Sequence, residues 1–479
     1  MRFDSYQFIG FSLIAIMLLR IVRVGSFRDF LLALLNCYFI YSFSIDNIYL
    51  VPLFLFVLVG YFSTLLAKNL RTFLGIGITL TSLIAIFIWL KRYSVIDFLP
   101  TLDFPYLTIG LSYILFRIIH LIIDVSQGAI RVPGFLAYFN YIFFFLNFVS
   151  GPIQRYQDFS EQNSHPEPCK TVEQIYLSLA RVITGFFMVI VVCSYTSFLS
   201  KTFSKYFYIA FISDVDGKTV ILFAIVALIQ LIHLYINFAG YMHICIGIGR
   251  LSGFSLPENF NAPHKAHNFL DLWARWHITL SEWFKFYLFN PVLKYLMHRW
   301  GDSTVKNSQY FGVVAFFATF LTMGIWHGST YIFIFYGLLL GSGVAFNKLW
   351  QIQMSKHLGK KQYKALCQQD WYSQLSRALA LSFFAIALTC IWVDPDQVNR
   401  IASIQGILCG ALAFLVICGF LFTILLLTKV LQSLHWVRFS NFAGSPIATA
   451  FVIGFKLFVI VNFVVLVNSG APDFIYQGF

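Results

Sequence analysis

Two histidines that each follow a tryptophan, His277 in Trp-Ala-Arg-Trp-His (273–277) and His327 in Trp-His-Gly-Ser (326–329), are the residues of this sequence best suited to chemistry. An imidazole with an ordinary pKa near ~6.5 can take and return a proton at neutral pH. His327 is the odder of the two, because no Asp, Glu, Lys or Arg occurs from Phe311 to Phe346. Ionisable side chains in such apolar surroundings are costly and usually functional. The plainer alternative is a core histidine bonded to a neighbouring carbonyl. Gly328 adds a position that tolerates unusual backbone angles and lets another chain or a ligand approach the ring.

The surroundings of His277 read as a helix over 268–289. Asn268 with Asp271 three residues on forms a loose capping box. Trp273, Trp276, His277, Leu280, Trp283, Phe284, Tyr287 and Leu288 recur at helical spacing and make one aromatic face, while Arg275, Thr279 and Glu282 make another, with Lys285 at its edge. An amphipathic helix lying at the membrane interface explains most of this pattern; it does not explain an imidazole on the aromatic side. A third group lies in LYINFAGYMHICIGIGR (234–250), where Tyr235, Asn237, Tyr241 and His243 carry polar atoms into an apolar stretch and Gly240, Gly247 and Gly249 permit close helix packing.

The elements holding these residues must be membrane helices. The chain has 479 residues, 59% hydrophobic, 19% aromatic and only 11% charged, with a mean hydropathy of +0.77. Soluble chains carry about 25% charged residues. Apolar stretches fall near 8–24, 30–44, 48–66, 73–90, 105–123, 134–150, 174–199, 219–248, 309–327, 329–347, 377–393, 402–428 and 447–468. At about 20 residues per crossing they predict 11 to 13 transmembrane helices in one all-α polytopic domain, with N-terminal helices over 1–104, a core over 105–350 and C-terminal helices over 351–479. Such stretches recur along the chain, so the first is not expected to be a removable signal peptide.

The net charge of +13 reflects topology, not nucleic-acid binding. Lys348, Lys356, Lys360, Lys361, Lys364 and Arg377 surround one loop, and Arg250, Lys265, Arg275, Lys285, Lys294 and Arg299 crowd the 250–300 tract. The positive-inside rule puts both in the cytosol. Asp394–Arg400 and the C-terminus then fall outside and 429–446 inside.

Several patterns carry nothing. Gly217-Lys218-Thr219 lacks the upstream glycine of a P-loop, since position 212 is isoleucine. No GxSxG or HExxH occurs. The HxxxD pairs His120/Asp124 and His267/Asp271 read as chance. The eight cysteines include no CxxC, so neither a disulfide framework nor a metal site is read.

NFNAPHKAHNFLDLWARWHITLSEWFKFYLF (259–289) followed by GIWHGSTYIFIFYGLLLG (324–341) resembles the membrane-bound O-acyltransferase (MBOAT) family, in its bacterial branch of alginate O-acetyltransferases and teichoic-acid D-alanyltransferases. IGLSYILFRIIHLIIDVSQG (109–128), FVSGPIQRYQDF (148–159) and the ending FIYQGF fit the same branch. Asn237 stands where that branch usually has an acid, and Met242-His243 replaces a polar pair. The resemblance implies an MBOAT-like bundle with a re-entrant or interfacial helix near 268–289. It implies His327 as the catalytic base and His277 in the same tunnel, helping to hold the donor. Asn237, Tyr241, Trp276, Trp326, Arg275 and Ser329 are the tunnel and donor candidates. The implied reaction passes an acyl group, by preference acetyl, from a cytosolic thioester (acetyl-CoA or an acyl carrier) to a hydroxyl of an extracytoplasmic polysaccharide, cell-wall glycan or partner such as a secreted SGNH-type acyltransferase. No tightly bound cofactor is implied, and the setting is the bacterial inner membrane. D-alanyl transfer is the nearest alternative. A transporter or flippase with a histidine relay and a non-catalytic scaffold are alternatives of other classes.

Overall fold

In a computed structural model the described residues are 5–42, 50–69, 73–93, 110–213, 215–300, 308–392, 403–433 and 446–467, with Phe98 and Pro100 besides. The 394–400 loop, most of 429–446 and the FIYQGF ending, on which parts of the expected topology and resemblance rest, lie outside them.

The described chain is helical almost throughout. Its elements are α1 (Tyr6–Ile21), α2 (Ser26–Tyr41), α3 (Leu50–Ala67), α4 (Phe73–Lys91), α5 (Leu111–Ser126), α6 (Phe135–Ile142), α7 (Tyr156–Ser164), α8 (Val172–Phe186) and α9 (Cys193–Ser213). They continue with α10 (Gly217–Ser252), α11 (Phe269–Trp273), α12 (Ile278–Phe284), α13 (Asn290–Trp300), α14 (Ser308–His327), α15 (Ile332–His357), α16 (Gly359–Gln368), α17 (Asp370–Leu388), α18 (Ile404–Ser433) and α19 (Pro446–Val467). A π-helical turn, Phe187–Val192, joins α8 to α9, and another, Lys285–Phe289, joins α12 to α13. Nine helices among the described residues are long and apolar enough to cross a membrane; α1, α2 and α5, of 16 residues each, fall short of a full crossing. The chain is a polytopic membrane protein.

Two compact units divide the chain, 1–191 with 237–258 and 456–479, and 192–236 with 259–455. In the first unit the expected span 134–150 is not a span. Helix α6 stops at Ile142, and residues 143–155 run as irregular chain, buried throughout 143–152. Backbone of this kind survives away from water only if its polar groups find partners. Fully buried Arg117 of α5 supplies them, donating to the carbonyls of Tyr141 (3.3 Å), Ile142 (2.6 Å) and Asn147. Asn36 adds a second tie, accepting from Phe145 N at 3.0 Å and donating to Asn140 Oδ1 at 3.2 Å. The glycines of α10 are packing residues, as their spacing suggests: a Cβ on Gly247 would lie 2.5 Å from Val182, and one on Gly185 2.6 Å from the Gly240 carbonyl. His120 and Asp124 are not idle either. Nε2 of His120 accepts from Tyr156 N at 3.1 Å and Asp124 from Gln157 at 3.0 Å, so the pair ties α5 to α7.

In the second unit, α9, α10, α17 and α18 share an apolar core that includes Phe207, Phe223, Ala227, Ala385, Ala413 and Ile417. Helices α14 and α15 form a tight hairpin. A Cβ on Gly324 would stand 2.1 Å from Cα of Gly337, and one on Gly337 2.6 Å from the Leu321 carbonyl. Backbone therefore meets backbone one turn before His327, which fixes the end of α14 against α15.

Candidate active site

The stretch 268–289 is not one helix. Asn268 caps α11 as its sequence promises, its side chain accepting from Asp271 N at 3.0 Å. The helix ends at Trp273, and α12 restarts after His277, whose backbone is left-handed at φ 45°, ψ 54°. That region costs a side-chain-bearing residue roughly 1–2 kcal/mol, so something must hold it. A remote segment does. Phe260 bridges to Trp276, Asn261 N donates to the Arg275 carbonyl at 3.0 Å, and Ile278 N donates to the Asn259 carbonyl at 3.0 Å. The Asn259 side-chain oxygen accepts from Thr279 N at 3.1 Å and from Thr279 Oγ1 at 2.7 Å. The first N–H groups of α12, which need partners outside the helix, are thus satisfied from Asn259 and not from a local cap.

The elbow keeps part of the predicted face: Trp283, Tyr287 and Leu288 are half-buried, and Thr279, expected on the polar side, is buried. Trp273, Trp276, His277, Leu280 and Phe284 are all buried. Trp276 packs edge-on against Phe260 (5.2 Å) and Phe384 (5.0 Å), and Trp273 against Phe320 (4.9 Å) and Phe384 (5.5 Å). His327, buried at the last position of α14, lies against Trp326 (4.8 Å) and Tyr336 (5.7 Å), while Trp326 reaches Phe284 of α12 (6.4 Å). A Cβ on Gly328 would enter the Phe333 ring at 2.0 Å, so a larger residue in the turn after His327 must displace that ring. Burial, and after it the His327 imidazole, push the His277 pKa well below its ordinary value. The two rings are therefore within electrostatic reach of one another, and burial favours the neutral form of His277.

Of the other candidates, Trp276 and Trp326 belong to this aromatic wall, and Ser329 is a half-buried position in the turn after His327. Arg275 is held by Asp271 (3.0 Å) and donates to the Asn261 carbonyl (3.3 Å), which ties the elbow together; His267 N also donates to Asp271, at 2.8 Å. Lys265 and Lys285 are exposed. Asn237 and Tyr241 are buried on the part of α10 that belongs to the first unit. Asn259 is the residue that sequence reasoning missed. Its partner Thr279 lies 20 positions away, and no local period links them.

The left-handed backbone yields a direct prediction. His277→Gly should unfold at higher temperature than His277→Ala, by the equivalent of about 1 kcal/mol, with both variants losing activity. Equal midpoints would mean that the elbow carries no backbone strain.

The sequence profile of MBOAT, the membrane-bound O-acyltransferase family, matches residues 78–392, and the chain belongs to that family. Among relatives, it is similar to a teichoic acid D-alanyltransferase of Streptococcus thermophilus, 26% identical over 261 residues covering 54% of this chain and 60% of the relative. It is similar to a probable alginate O-acetylase of Azotobacter vinelandii at 29% over 248 residues, 51% of this chain and 45% of the relative. A peptidoglycan O-acetyltransferase of Helicobacter pylori matches at 31% over 235 residues, 48% and 40%. The chain matches less than two thirds of the length of each.

Proposed function

We propose that this chain is an O-acyltransferase that moves an acyl group, by preference acetyl, from a cytosolic thioester to a hydroxyl of an extracytoplasmic polysaccharide or cell-wall glycan. The observation that carries the reading is the pair of buried imidazoles, His277 on a clamped left-handed elbow and His327 at the end of α14, within electrostatic reach and walled by tryptophan and phenylalanine. In this reading the acceptor hydroxyl attacks the thioester carbonyl while the His327 imidazole takes its proton. The tetrahedral intermediate then expels the thiolate, which receives that proton, leaving an ester and a free thiol. A positioned base of this kind contributes about 10²–10⁴-fold. His277, whose neutral form burial favours, bonds and orients the donor. The aromatic wall excludes water that would otherwise hydrolyse the thioester.

Acetyl-CoA is the proposed donor, a secreted SGNH-type acyltransferase a candidate onward acceptor, and the bacterial cytoplasmic membrane the proposed setting. D-alanyl transfer from a carrier protein stays as a second reading, favoured by the similarity to teichoic acid D-alanyltransferases. The test uses the full chain in nanodiscs with acetyl-labelled CoA and a glycan acceptor. Label moving into the glycan with equimolar release of CoA thiol is expected. Label that moves only from a D-alanyl carrier thioester would transfer the assignment to the second reading, and no movement from either donor would contradict both.

A further inference from the structure

A cavity of about 650 Å3 opens in the second unit between α15 and α17, inside the ~300–1,000 Å3 range of small-molecule sites. It is independent of the two histidines. Its apolar lining includes Leu339, Phe346, Leu379 and Phe383, with Phe269 of α11 and Phe414 of α18. Small residues make the space. Ser342, Gly343, Ser376 and Ala380 line it, and Gly343 is pinned under aromatic rings, since a Cβ there would lie 2.4 Å from Phe383 and 2.9 Å from Phe269. Phe346 and Leu379 are exposed, so the cavity opens on the face of the helices that the bilayer bathes.

One end is polar. Asn347, Trp350, Tyr372 and Ser376 line both this cavity and a smaller one, which also takes in His267, Gln351 and Tyr363. Trp350 Nε1 donates to the Tyr372 hydroxyl at 2.9 Å, the arrangement of aromatic residues at headgroup level. Helix α16 forms the rim of this end. Its Tyr363 and Cys367 line the smaller cavity, and its Lys360, Lys361 and Lys364 are exposed with no acidic residue in the helix. The nearest acid in sequence, Asp370, is engaged by Lys429 at 3.2 Å.

We infer that this groove binds an anionic phospholipid, with one acyl chain between α15 and α17 and the phosphate-bearing headgroup at the Asn347–Trp350–Tyr372 end beneath the α16 lysines. An apolar channel grading into a polar end with interfacial aromatics matches the chemistry of a lipid along its length. The α16 lysines, which pair with no acid among the described residues, select its charge, and polybasic segments beside membrane helices attract anionic leaflets for the same reason.

Thermal unfolding of the full chain in a zwitterionic detergent tests this. Dioleoyl phosphatidylglycerol should raise the midpoint by several degrees and dioleoyl phosphatidylcholine should not, because a ligand that binds only the native state stabilises it by mass action. Ser342→Trp and Leu379→Trp, which fill the groove from opposite walls, should each remove the shift. The triple charge reversal of Lys360, Lys361 and Lys364 to Glu should remove the preference for phosphatidylglycerol. Native mass spectrometry of the wild-type chain should find retained phosphatidylglycerol over phosphatidylcholine, whatever the variants do. Equal response to the two lipids, or a full phosphatidylglycerol shift in a folded Ser342→Trp or Leu379→Trp variant, would overturn the proposal.

Discussion

Replacing His327 with alanine is expected to slow acyl transfer by about 10³-fold, the middle of the range for loss of a general base, with little change in folding. The ring contacts Trp326 and Tyr336, aromatic contacts worth about 0.5–1.5 kcal/mol each beyond the area they bury. It does not touch the glycine contact that joins α14 to α15. Initial rates and unfolding midpoints measured on the same preparation separate the two effects. A variant that transfers acyl groups at near the wild-type rate would remove His327 from the reaction. One that fails to fold would make it a structural residue.

Gly324→Ala should do the reverse, costing fold and activity together. The added methyl would stand 2.1 Å from Cα and 2.4 Å from N of Gly337. Both are backbone atoms, which cannot swing aside as a flexible side chain can. The hairpin must open, at a cost typical of overpacking, about 1–3 kcal/mol. The end of α14 then moves away from α12, and a misplacement of about 1 Å can cost about 10²-fold in rate. Gly312→Ala in the same helix is the control. Nothing lies within 4 Å of its added Cβ, and alanine favours helix by up to about 1 kcal/mol, so that variant should be as stable as wild type or more so. If Gly324→Ala behaves like Gly312→Ala, the hairpin does not position His327.

What could be read from the sequence depended on the range of the interaction. Helices α14, α15 and α18 announce themselves through long apolar runs, and Asn268 through a polar group placed three residues before Asp271. These are local signals. The two histidines were legible because each follows a tryptophan, His327 in a run without charge and His277 on the aromatic side of its segment. The break at His277 was not, because the periodicity of the aromatic face runs unbroken across it. The segment 259–261, folded back onto the elbow with Asn259 on Thr279, holds the left-handed turn in place. The stretch after Ile142 misled for a related reason. Residues 134–150 carry no charged side chain, yet Arg117 and Asn36, both buried and both remote in sequence, take over backbone groups that a continuous helix would have satisfied. Composition reports the solvent of a segment, and partners far along the chain decide its backbone.

The claim that His277 and His327 serve one reaction is tested most directly by a double-mutant cycle on acyl-transfer rate, with His277→Ala, His327→Ala and the combined variant. Residues acting on the same step are non-additive. The double variant should therefore be scarcely slower than His327→Ala alone, since without the base a well-held donor gains little. Fold-losses that multiply, with the double variant slower by the product of the single effects, would show the two imidazoles acting independently and contradict a shared active site.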